Sequence, residues 1–213
     1  MLISLKKNIA PDSLRGIGGI KRGVEAHRLV AAGHRAKLIA DALGGTAYSI
    51  GRIKSRNAFC IKASDTYYLY VHYAYQGYRI LFRRFFSVIP AGCDIDHVFS
   101  RSLAARIGVP YLLLAAVPKS ANRSHASAER RGLAPYDRLY LGKTFPLDER
   151  MFHKVMGRRV GARQSLESVR AGYVMGSQHE FGLTLKQRGI WNIAFGIDMV
   201  HAGLPSTLKL RPL

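Results

Sequence analysis

The sequence predicts a single α+β protein, and three observations predict it. Residues 21–43 carry apolar side chains at helical period. Residues 46–89 are a series of short aromatic and β-branched runs parted by turn signals. Residues 90–132 then read as strand, connection, strand, helix, and basic, mostly helical patterns continue over 133–213. The expected organisation is an N-terminal helix with an antiparallel meander (1–89), a small core (90–132) and a basic helical extension (133–213), together one compact unit.

Each element has its own signal. Pro11, Gly16, Gly18 and Gly19 interrupt any regular pattern at the start of the chain. Val24, Leu29, Val30, Leu38, Ile39 and Leu43 then fall near one helical stripe, with Lys21, Arg22, Arg28, Arg35 and Lys37 mostly on a solvated face. Gly44-Gly45 ends that helix, since glycine adopts the left-handed cap cheaply. Strands are expected over 47–53, 58–63, 67–75 and 78–89, parted by Ser55-Arg56-Asn57, Ser64-Asp65 and Gln76-Gly77. Arg52, Lys54, Lys62, Arg79, Arg83 and Arg84 would share this meander with six tyrosines between Tyr67 and Tyr78. That mixture suits base stacking on a nucleic-acid surface, and equally suits tyrosines packing a sheet with wet edges. After Pro90-Ala91-Gly92, residues 102–107 read as a short helix or loop and 111–117 as a buried strand. Asn122 opens a helix through Arg131, and further helices are expected over 148–156, 164–171 and 183–195.

The charge narrows the function. The chain has 213 residues with 33 Lys and Arg against 13 Asp and Glu, a net charge of +20, and a pI near 10.5. Self-repulsion on that scale matches an anionic partner, with nucleic acid first because phosphate neutralisation releases counterions. Cys60 and Cys93 form no CxxC pair, so neither a zinc ribbon nor a disulfide framework is indicated. No apolar run approaches the roughly 18 residues of a membrane span. The apolar part of the first seven residues is too short for a signal peptide. The expectation is therefore no membrane partner, with a cytoplasmic location or delivery into another cell without a Sec signal.

In so basic a chain, the stretch Cys93-Asp94-Ile95-Asp96-His97-Val98-Phe99-Ser100-Arg101-Ser102 stands out. Asp94 and Asp96 share one face of an extended strand and His97 takes the other, so a turn at the strand end is needed to join them. Asp96 offers hard oxygen to a divalent ion, and Asn122 at a helix start offers a carbonyl oxygen. A neutral His97 can take a proton from water. That set is sufficient for phosphodiester hydrolysis.

Asp-Ile-Asp-His-Val-Phe-Ser-Arg-Ser, a strand-like run, and then Asn-Arg-Ser-His over 122–125 resemble the HNH (ββα-metal) endonucleases. The resemblance implies that 90–132 is a ββα-metal core. It implies a metal-dependent endonuclease cleaving DNA before RNA, with one Mg²⁺, or Mn²⁺, Ni²⁺ or Zn²⁺. Asp96 and Asn122 match the metal ligands and His97 the general base, with Arg123 near the phosphate. His125 and Asp94 would be further ligands or phosphate contacts. Arg101, Arg83, Arg84, Lys119, Arg130 and Arg131 would grip the nucleic acid. The sequence departs from the family where Ser100 replaces a proline. No asparagine lies between His97 and Asn122 either, which leaves a backbone carbonyl to orient the base. Toxins and mobile elements carry such modules, and a toxin implies an acidic immunity partner. The alternative reading is a nucleic-acid-binding protein without catalysis.

Overall fold

Eight strands pair into one sheet among the residues described by the structure, a computed structural model, which are 29–33, 35–63, 66–87, 89–131, 144–146, 149–159 and 209–213. The strands are β1 (Leu29–Ala32), β2 (Thr46–Ile50), β3 (Ala58–Ala63), β4 (Thr66–His72), β5 (Cys93–His97), β6 (Tyr111–Pro118), β7 (Thr144–Pro146) and β8 (Leu210–Pro212). The helices are α1 (Ala36–Ala42), α2 (Tyr78–Phe86), α3 (Arg101–Ile107), α4 (Lys119–Arg131) and α5 (Glu149–Val155). The pairing order is β7-β1-β6-β4-β3-β2-β8, and β5 joins β6 off that path. Every pairing is antiparallel. The α+β class is as the sequence predicts.

β6 is the strand on which the sheet depends. Its first residues pair with β1 and β4 at once, Tyr111 standing opposite both Ala32 and His72. Its remaining residues pair with β5, from His97 opposite Leu114 to Cys93 opposite Pro118. Leu112 through Val117 are all buried, as a strand covered on both faces must be. Alternation along the strands divides the core into two layers. Phe59, Ile61, Tyr70, Ala115 and Val117 meet α1, α3, α4 and α5 on one face. Cys60, Leu69, Val71, Ile95 and Leu114 meet α2 on the other. Each layer draws residues from before and after position 90, so the meander and the β5–β6–α4 segment share their core.

Two expectations are corrected. Residues 78–89 do not form a strand. Tyr78, Leu81, Phe82, Phe85 and Phe86 recur at i, i+3, i+4, i+7 and i+8, and the resulting single apolar stripe makes α2, against their β-propensity. The helix expected over 21–43 spans only α1 within its described part. Residues 29–32 are β1, whose backbone is paired on both edges, by β6 and by β7. The mixed face of tyrosines and cations forms only in part, with Lys62 5.8 Å from the Tyr67 ring centre and Arg79 5.2 Å from that of Tyr78. Tyr68, Tyr70 and Tyr78 are buried, while Arg79, Arg83 and Arg84 lie on the exposed side of α2. The helices expected over 164–171 and 183–195, and the first residues of the chain, lie outside the described residues. Among the described residues no helix is long and apolar enough to cross a membrane.

α2 ends on Ser87, whose φ of 61° is the left-handed conformation that costs an L-residue energy. Ser87→Gly is expected to raise stability by about 0.5–1 kcal/mol, the relief being partly offset by a floppier unfolded chain. The urea midpoint of the full chain checks this, and an unchanged or lower midpoint contradicts it.

Candidate functional site

β5, β6 and α4 build the site. β5 sends Cys93 and Ile95 to the α2 layer and so turns Asp94 and Asp96 toward α4 and α5. β6 runs directly into α4, which lies across β5 and β6 and places residues 122, 125, 126 and 129 along one side at helical spacing. α5 packs against β6 and α4 through Met151 and Val155 and brings Lys154 between them.

Lys154 is the hub. Its side chain is 1% exposed, and its ammonium lies 2.8 Å from Asp96 Oδ2 and 2.9 Å from Glu129 Oε1. It also donates to the His97 carbonyl oxygen at 3.1 Å. Three oxygens from β5 and α4 thus close on one cation carried by α5. A buried ammonium requires such pairing. Burial alone would push the Asp96 carboxyl up, but the adjacent Lys154, helped by His97, outweighs it and holds the group well below the usual carboxylate range.

The His97 side chain is 1% exposed, and its ring packs on Tyr78 of α2, centroids 4.5 Å apart and tilted by 54°. β5 ends at His97, and there Nδ1 comes within 3.7 Å of Asp96 Oδ1, an ion-pair distance rather than a hydrogen bond. Neither ring nitrogen of His97 has a hydrogen-bond partner among the described residues. The backbone carbonyl expected to orient the base is therefore absent among them. Tyr111, on β6, packs on Phe59 with ring centroids 4.9 Å apart. Burial pushes the imidazole below its ordinary value, against the pull of Asp96. His97 is thus a polar group biased to the neutral form, unpartnered at its ring nitrogens among the described residues, in the wall of a cleft.

That cleft, about 630 Å³, is lined by Asp96, His97 and Arg101 together with Tyr73, Gln76 and Glu129. Arg101 is fixed by its Nε donating to the Tyr73 carbonyl at 2.9 Å, and its guanidinium lies 5.8 Å from the Tyr78 ring centre. Ser100 and Ser102 share a hydrogen bond of 3.0 Å at the start of α3.

Of the residues singled out from sequence, Asp96, His97 and Arg101 come together here. Asn122, half-buried on α4, and Arg123, exposed beside it, do not line the cleft. His125 is fully buried, with Nε2 3.0 Å from the Arg158 carbonyl oxygen. Gly157 makes the turn that presents that carbonyl, with φ +74° and Pro118 at 3.0 Å from where a Cβ would stand. Asp94 is half-buried and lies with Lys119 near the Cys93 thiol, at the other end of β5. Arg130 and Arg131 end α4, and their side chains lie outside the described residues. Arg83 and Arg84 are exposed on α2. Glu129 and Lys154 were not singled out. Glu129 carries a signal, being seven residues after Asn122 on the same helix side and one of only 13 acids. Lys154 carries none among 33 cations.

Two carboxylates and a carbonyl around one position are a hard-oxygen set of the kind that suits Mg²⁺. The Lys154 ammonium holds that position here. Among the described residues, no three His, Cys, Asp or Glu side chains converge as a metal cluster. No family model, curated protein or solved structure matches this chain.

Two outcomes follow. Lys154→Met leaves Asp96 and Glu129 facing each other without a cation. It is expected to cost about 2–3 kcal/mol, less than a fully buried pair because Asp96 keeps 24% exposure. Adding Asp96→Asn to Lys154→Met restores part of that loss in urea unfolding, and strict additivity contradicts the pairing. The second outcome concerns acid. The folded values of His97 and Asp96 lie below their ordinary 6.5 and 3.8, so the unfolded chain binds more protons as the pH falls through each. The contribution of these two groups to stability is full above about pH 6.5 and declines below it, first through His97 and later through Asp96. His97→Gln flattens the upper part of the decline in urea midpoints, and an unaltered profile rules out a neutral buried His97.

Proposed function

We propose that this chain hydrolyses phosphodiester bonds of nucleic acid, DNA before RNA, as an endonuclease of the HNH (ββα-metal) kind. The observation that carries the reading is His97. It is a buried imidazole, biased to the neutral form, with both ring nitrogens unpartnered among the described residues, in a cleft beside an ionised Asp96. A buried polar group without a partner costs stability, and a proton-transfer role accounts for retaining it. The antiparallel β5–β6 pair followed by α4 agrees with the order of elements in that family, and the charge of +20 agrees with a polyphosphate substrate.

In this mechanism, His97 takes a proton from a water molecule in the cleft. The water oxygen bonds to phosphorus while the bond from phosphorus to the leaving sugar oxygen breaks. Asp96 stabilises the imidazolium across 3.7 Å, and Arg101 stands over the same cleft to meet phosphate charge. A divalent metal, Mg²⁺ first, when bound supplies charge neutralisation at the phosphate. Asp96 and Glu129 are the oxygens that would hold it, with Asn122 two turns earlier on the same helix side. The Lys154 ammonium occupies the position between those two carboxylates and would have to withdraw for a metal to sit there.

A second reading, a nucleic-acid binder without catalysis, has one observation in its favour: Lys154 already satisfies Asp96 and Glu129 as a structural ion pair. Plasmid nicking separates the two. With Mg²⁺ or Mn²⁺ the intact chain is expected to nick supercoiled DNA. His97→Ala is expected to lower the rate by a factor of about 10² or more while DNA binding persists. An intact chain that binds DNA yet never nicks it with Mg²⁺, Mn²⁺, Ni²⁺ or Zn²⁺ supports the second reading.

A further inference from the structure

A second concavity, about 1120 Å³, lies on the α2 face of the sheet. Five cations line it: Arg52, Arg83, Arg84, Lys209 and Arg211. No Asp or Glu is among its described lining residues. The five come from three distant parts of the chain. Arg52 follows β2 in a turn, Arg83 and Arg84 sit on consecutive positions of α2, and Lys209 and Arg211 flank the start of β8. Folding holds them there deliberately. β8 pairs with β2, Ser49 opposite Arg211, and the Gly51 N–H donates to the Lys209 carbonyl at 2.8 Å, which sets Lys209 beside Arg52. Bringing five like charges into one acid-free hollow raises the energy of the folded chain, and an anionic ligand reverses that cost.

The hollow adjoins the cleft at His97. The turn between β4 and α2 serves both: Tyr73, Ala74 and Gln76 line the first cleft, while Tyr75 and Gly77 line the second. Ile80, 59% exposed, lines the hollow and offers apolar surface to a sugar or base.

We infer that this hollow binds the phosphodiester backbone of nucleic acid and carries the strand past the 73–77 turn toward His97. The inference rests on the nucleic-acid reading of the chain, and its backbone grip does not depend on cleavage. A single anion would fill one or two of five cations, whereas a polyphosphate chain engages them together. A folded acidic protein fits a convex or flat patch better than this hollow.

The experiment uses the full chain in EDTA, so that binding is read without cleavage. Fluorescence anisotropy of short fluorescein-labelled single-stranded DNA is followed against salt. The paired variant R83Q and R84Q is expected to bind at least tenfold more weakly at low salt and to lose about 1.4 from the log–log salt slope, about 0.7 per contact. A control pair, R35Q and K37Q, is exposed at the start of α1 across the sheet and is expected to leave both values unchanged. Equal losses in the two pairs would mean diffuse charge and overturn the inference. So would binding to vesicles containing anionic lipid or to an acidic protein, in the absence of oligonucleotide binding. Strong, R83Q/R84Q-sensitive binding by a chain that never nicks DNA sinks the nuclease reading and leaves this inference standing. Nicking with an unchanged slope in R83Q/R84Q does the reverse.

Discussion

The Lys154 ammonium is the contact on which the candidate site depends. It is buried, and it holds Asp96 of β5, Glu129 of α4 and the carbonyl of His97 within 3.1 Å of one nitrogen. A cation out of water is tolerable only when such partners surround it, so the three elements are fixed relative to one another or the ammonium is destabilising. The same contact sets the chemistry of its neighbours. It keeps Asp96 ionised, and an ionised Asp96 lies beside an imidazole that burial keeps neutral. Two titratable groups pushed to different charge states beside one cleft are the arrangement on which the proposed acid–base role rests, and Lys154 and burial are its structural cause.

The sheet makes this contact available. β6 is paired along its whole length, first to β1 and β4 and then to β5, and it passes without a loop into α4. A strand so constrained leaves β5 and α4 little freedom to slide. The opposite layer supplies the other support, since α2 puts Tyr78 against the His97 ring and near the Arg101 guanidinium. α2 also turns Arg83 and Arg84 away from the core into the basic hollow. One amphipathic helix thus packs against the candidate base from its buried side and lines the basic hollow from its exposed side.

Legibility in the sequence followed periodicity wherever one pattern dominated. Residues 111–117 read as a buried strand because their apolar run is short and continuous, and β6 covers them. Residues 78–89 misled because aromatic and branched residues mark strands, although their spacing was helical throughout α2. Leu29 and Val30 fell on a plausible helical stripe, yet β1 forms there because β6 and β7 both offer partners, and no local pattern contains that information. Glu129 was within reach by helical spacing from Asn122. Lys154 was not, because what distinguishes it is its partners.

What the sequence by itself determined is the chemistry on offer: a strongly basic chain, an Asp-Ile-Asp-His stretch in a strand, and a helix one strand later. Those are local facts, carried by composition and short-range pattern. The tertiary structure decided which groups meet. It joined Asp96 to Glu129 and Lys154 rather than to Asn122, sent His125 to the Arg158 carbonyl, and buried the His97 ring nitrogens beside a cleft with no hydrogen-bond partner among the described residues. It also gathered five cations from three segments into one hollow. Such meetings depend on sheet order and helix packing between residues far apart in the chain, and no spacing along the sequence encodes them directly.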